Sequence, residues 1–186
     1  MNGLGFCKSW FEANRSATRV LSEADAQVRH QKRQQYTVAM GGFDAPEAII
    51  IVVGTFVPVM FMDVLLREHL EYHFQELKTG SLFLSMAIKR VYCPATEEMV
   101  AKMQAGRVAK PTQRWAQYIA DIDKVIEGTS LIFKPDGRAV RQYEHFAEPY
   151  RFEETEFKAD VANHWEEFPE FGQYEHLLKK DRGLPW

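Results

Sequence analysis

Apolar residues recur along this chain in short runs whose period changes from segment to segment. Trp10, Phe11, Ala17, Val20, Leu21, Ala24 and Val28 follow Ser9 at steps of mostly three and four. Arg15, Arg19, Glu23 and Arg29 take the opposite side, so the spacing predicts an amphipathic helix over residues 10–34. Next, Tyr36 to Met40 alternates and residues 49–53 form a β-branched run. Gly41, Gly42 and Pro46 punctuate the gap, which predicts two adjacent strands. Thr55 is a capping residue type and Pro58 suits a first helical turn. Leu65, Leu66, Leu70, Phe74 and Leu77 then repeat at helical steps until Gly80, which predicts a central buried helix.

Beyond it, Leu82, Leu84, Met86 and Ile88 alternate, so residues 81–92 read as a strand that Pro94 ends. Residues 96–105 read as a short helix with Met99, Val100 and Met103 on one side. A second helix from Thr112 carries Trp115, Ile119, Ile122 and Ile126 up to Gly128. Residues 130–133 and 139–143 flank Lys134-Pro135-Asp136-Gly137-Arg138, the chemistry of a type I turn closed by a left-handed glycine, and form the clearest hairpin. After Phe146 the periodicity fades, with a last helix over residues 174–180. The elements sum to an α+β fold: one domain over residues 1–186, a mainly antiparallel sheet packed by several helices. An acidic, aromatic segment over residues 144–186 packs on it.

Composition agrees with a folded chain, since 46% hydrophobic and 26% charged residues over 186 positions supply enough apolar surface for one core. Cys7 and Cys93 lie in no metal-binding or redox spacing. A bridge between them stays open, with two reduced thiols in the cytoplasm the expectation. The first residues lack a basic start followed by an apolar stretch, so no secretory signal is expected. The uncharged run 48–62 is shorter than a spanning helix and broken by Gly54 and Pro58, and reads as a buried strand and helix.

Charge is uneven. Between Glu144 and Glu175 ten acids stand against two bases, whereas from Lys78 to Arg114 seven bases stand against two acids. Such asymmetry bears on partners rather than fold. The basic stretch near Trp115 is a weak nucleic-acid signal, and a pI of about 6.1 with no accompanying motif argues against it.

For chemistry, His69 and His73 stand four apart and Glu76 three beyond, so on a helix all three would project from one side toward a metal. Leu70 occupies the position where the zinc-protease motif needs glutamate, so that motif is absent. No nucleophile motif and no phosphate loop occurs, and no cofactor is expected. In the acidic segment, Tyr150, Trp165 and Phe168 interleave with Glu153, Glu154, Glu156, Glu166, Glu167 and Glu170. Rings supply buried anchors and charges of one sign steer an opposite partner, which is how fast protein interfaces are built.

The closing stretches Trp165-Glu166-Glu167-Phe168-Pro169-Glu170-Phe171-Gly172 and Asp181-Arg182-Gly183-Leu184-Pro185-Trp186 resemble the C-termini of bacterial immunity proteins of polymorphic and contact-delivered toxin systems. That resemblance implies a cytoplasmic protein that neutralises a cognate toxin by stoichiometric binding, without catalysis and without a nucleic-acid or membrane partner. The acidic residues would meet a basic toxin surface. Two rival readings stand beside it: a small metal-dependent hydrolase using His69, His73 and Glu76, and a structural subunit of a larger assembly.

Overall fold

The computed structural model describes the backbone of residues 3–11, 15–108 and 113–186, and the side chains of these except 106–108 and 113–117. Arg107, Lys110, Arg114 and Trp115 of the basic stretch therefore lie outside the described side chains. Its elements in chain order are β1 (Leu4–Phe11), β2 (Ser16–Val20), α1 (Glu23–Gln31), β3 (Tyr36–Met40), β4 (Ala48–Val52), β5 (Phe56–Met62), β6 (Glu68–Lys78) and β7 (Ser81–Tyr92). There follow α2 (Glu97–Val108), α3 (Gln113–Ile122), β8 (Val125–Phe133), β9 (Arg138–His145), β10 (Arg151–Lys158) and β11 (Trp165–Glu167).

All eleven strands join one antiparallel sheet in the order β10-β9-β8-β7-β6-β5-β4-β3-β1-β2, with β11 on β7 beyond the end of β8. From β3 to β10 every strand lies beside its chain neighbour. The expected α+β architecture packed by several helices is thus corrected to a sheet-dominated fold, with three short α-helices among the described residues.

Two segments account for the difference. The expected helix over 10–34 divides into the end of β1, all of β2, and α1, which begins only at Ser22, whose side chain accepts from the Asp25 N–H at 3.1 Å. The expected central helix is the pair β5 and β6. Leu70 and Phe74 satisfy a helical and a strand period alike, but Tyr72 between them is also buried, while His69, Glu71 and His73 are only partly covered. Pro58, read as a first-turn proline, sits in β5 opposite His73. It has no N–H to give, and the β4–β5 ladder stops at Ile50↔Val59 and resumes at Val53↔Phe56.

The run 48–62 consequently forms β4 and β5 rather than a strand and a helix, and no helix among the described residues is long and apolar enough to cross a membrane. Further along, Ile126 and Gly128 belong to β8 instead of prolonging α3, and the last expected helix is one 3-10 turn at Glu175–Leu178. The strands at 36–40 and 81–92, the paired β3 and β4, α2, and the hairpin around Gly137 (φ +86°) stand where the sequence placed them.

Alternation across the sheet makes two apolar layers. Val38, Ile50, Val59, Tyr72 and Phe74 face the larger one, which Ala26 of α1 and Tyr174 and Leu177 of the chain's last segment close off. Phe168, Phe171, Leu184 and Trp186 pack on its margin, so residues 168–186 form a strap over this side. Ala39, Ile49, Met60 and Met62 form a smaller layer on the opposite side with Trp10 and Leu66. Leu65, Met103, Ile119 and Ile122 bind α2 and α3 to the β5–β6 connection.

Candidate protein-binding surface

β10 ends the sheet. It pairs with β9 from Arg151↔His145 to Lys158↔Arg138, and among the described residues no strand covers its other edge. Every one of its side chains is exposed except Phe157, which is half-buried. Strand alternation sends Glu153 and Thr155 to the strap side, beside Tyr143 and Arg141, where they line a shallow recess that Trp186 closes. Phe152, Glu154 and Glu156 project from the other side, opposite Glu144, Gln142 and Val140.

Next to Phe152 stand two more exposed rings. Phe146, Tyr150 and Phe152 are 43%, 53% and 50% exposed, too open for core residues. The Tyr150 hydroxyl donates to Glu144 Oε1 at 2.8 Å, a bond that raises the hydroxyl's pKa, and its ring lies 6.5 Å from that of Phe146. Phe146 in turn lies over Gly128, where an added Cβ would come within 3.4 Å of the ring. Gln142 Nε2 donates to Glu154 at 2.8 Å. The hairpin β9–β10 thus carries Tyr150, Glu153, Glu154 and Glu156 on one exposed element. Phe146, Phe152 and Glu144 join them, three residues not singled out from sequence as contacts, because their value depends on the sheet ending at β10.

Trp165, Glu166, Glu167, Phe168 and Glu170 are brought together elsewhere, with β8 and β9 standing between β10 and the β7 strand on which β11 pairs. These five line a groove of about 570 Å³ with Ser81, Gln173 and His176. Most of them are engaged within the fold. The Glu166 side chain, 8% exposed, accepts from Arg182 at 2.7 Å and from Lys179 at 2.8 Å. Burial pushes its pKa up, and the bonds to Lys179 and Arg182 more than offset this, leaving it below the usual range. Trp165 packs on Phe83 at 4.9 Å between ring centroids, and Arg33 lies 3.5 Å from the Phe168 ring centre. Glu170 accepts from Gln173 at 3.0 Å.

His69, His73 and Glu76 lie on β6, where residues four apart are about 13 Å apart along the strand. They do not converge. His73 Nε2 lies 2.5 Å from Glu71 Oε1, Glu76 pairs with Arg33 at 3.3 Å, and burial lowers the pKa of His69. No group of three or more metal-binding side chains is assembled among the described residues. The folded connections also gather charges that sequence spacing did not suggest. Arg90 bridges Glu68 and Glu71 at 3.2 Å from the latter, Arg15 pairs with Asp123, and Arg67 pairs with Asp63 at 2.7 Å. These line or adjoin a cavity of about 180 Å³ between Trp10, Leu66 and Tyr92, where each guanidinium already has its carboxylate.

Both thiols are free, and burial raises that of Cys7 to about 11, which keeps it protonated and unreactive near neutral pH. Compared with known proteins, the chain matches no family, no curated protein and no solved structure.

Proposed function

We propose that this chain is a stoichiometric protein-binding inhibitor of the immunity type, which captures a cognate toxin bearing a basic surface. One observation carries the reading: the terminal strand β10 and the turn before it leave Glu153, Glu154 and Glu156 in solvent beside three half-exposed rings, Phe146, Tyr150 and Phe152. The three carboxylates in the middle of β10, between Arg151 and Lys158 at its ends, raise the encounter rate with a basic surface, and the rings supply area to bury on contact. The resemblance of the closing stretches to immunity proteins supports the same class, with the cytoplasm as the place of action. In the fold those stretches serve largely as strap and core margin, so the binding role falls to β10 rather than to Glu166 or Trp165.

The test is capture from the native cell by the immobilised protein at low and at raised salt, beside the triple variant Glu153→Lys/Glu154→Lys/Glu156→Lys. Recovery of one basic protein at equal stoichiometry, weakened by salt and lost with the variant, is the expected result. Equal recovery by the variant would overturn the reading.

A further inference from the structure

We infer that β10 takes up its partner by strand addition: an extended, lysine- or arginine-rich segment of the partner pairs with the open edge of β10 and extends the sheet. This rests on the partner-binding reading above and specifies how that surface works.

The phase of the ladder supports it. The Ala159 N–H donates to the Gly137 carbonyl at 2.8 Å, just beyond the Lys158↔Arg138 pair. In an antiparallel ladder that bond directs the N–H and C=O groups of residues 151, 153, 155 and 157 toward β9. The groups of Phe152, Glu154, Glu156 and Lys158 therefore point away from the sheet, a row of donors and acceptors along an eight-residue strand. The far edge of the sheet differs: β2 has five residues, and Arg19 at φ +48° breaks its extended course. Proteins blunt edges in this way to prevent pairing, and β10 has no bulge and no proline.

Arg151 and Lys158 stand at the two ends of β10, and what guards its middle is the charge of Glu153, Glu154 and Glu156, which selects the occupant there. In the two-fold registers centred on the strand that use its outward groups, a second copy would set Glu154 against Glu154, or Glu154 against Glu156. Like charges directly opposed destabilise the pair, so self-association in these two registers is disfavoured. A strand with basic side chains at those positions meets Glu154 and Glu156 on one side of the sheet and Glu153 on the other. Its backbone supplies the missing ladder while Phe152 offers apolar contact at one end.

The experiment reads backbone amide exchange by NMR in the whole protein, titrated with a blocked octapeptide of alternating lysine and valine, and with its glutamate-for-lysine counterpart. The lysine peptide is expected to protect the amides of Phe152, Glu154, Glu156 and Lys158, whose neighbours are already protected by β9; this readout needs no variant. Glu154→Pro removes one outward N–H and leaves the β9 ladder whole. It is expected to weaken binding about tenfold, more than Glu154→Gln, which keeps the N–H.

If the triple lysine variant loses the peptide but Glu154→Pro binds as Glu154→Gln does, strand addition is overturned and the acidic-surface reading stands. If the lysine peptide protects none of the four amides, strand addition by a basic segment falls. If in addition the triple variant still captures the natural partner, the acidic-surface reading falls with it. A dimer in sedimentation that Glu154→Pro dissolves would assign the edge to a second copy and overturn the inference.

Discussion

At the scale of single residues, the fold turns several surface-type side chains inward and holds them by pairing. Glu166 and Arg182 are the clearest example, at 8% and 2% side-chain exposure. Glu166→Ala leaves a buried guanidinium without its carboxylate and is expected to cost about 3–5 kcal/mol in urea unfolding, with β10 still accessible. Acid sensitivity follows from the same principle. Three of the histidines, His30, His69 and His164, have lowered pKa values, burial being the largest cause for each. A histidine kept neutral in the fold contributes stability that is fully present above its ordinary value of 6.5 and is lost as pH falls through the depressed folded value. Melting temperature is therefore expected to drop from pH 7 to pH 5, and His164→Gln, which removes a ring packed 4.3 Å from Phe133, to flatten that drop. An unchanged slope in the variant would remove His164 from the account.

At the scale of elements, the β8–β9 hairpin is the device that sets β10 in place. Gly137 has φ +86°, and a Cβ there would meet the Ala159 carbonyl at 3.0 Å, the group just beyond β10. Gly137→Ala is expected to cost about 1–2 kcal/mol, read as a lowered melting temperature, and to speed amide exchange in β10 before it does so in β3 to β5. This turn was legible because Pro-Asp-Gly is local chemistry. The β5–β6 hairpin was not, because Leu66, Leu70 and Phe74 fit a helical step as well as the alternation that Leu70, Tyr72 and Phe74 also show. Burial of Tyr72 at 0% exposure resolves the ambiguity in favour of the strand.

For the whole molecule, the strap is what closes the larger core. Tyr174 is fully buried and shares a hydroxyl hydrogen bond with Tyr36 at 3.0 Å, while Tyr72 donates to the Lys180 carbonyl at 2.7 Å. Tyr174→Ala should cost about 3–5 kcal/mol, and removal of residues 168–186 should leave a chain that binds an apolar dye and lacks a cooperative unfolding transition. A cooperative transition in the shortened chain would show that the sheet and α1 suffice.

By itself the sequence determined the pieces whose signals are local: the alternating strands at 36–40 and 81–92, the β-branched run that became β4, α2, the turn at Gly137, and the presence of an acidic, aromatic closing segment. Only the tertiary structure decided which acids are free and which are spent on internal partners, because Glu166 meets Arg182 and Glu76 meets Arg33 across folded distances that no spacing encodes. It likewise decided strand over helix at 56–78, where each backbone group finds its bond on a neighbouring strand and not within its own segment. The candidate surface belongs to this second kind: that β10 is an edge follows from where the sheet stops pairing, a property of the assembled sheet and of no single segment of the chain.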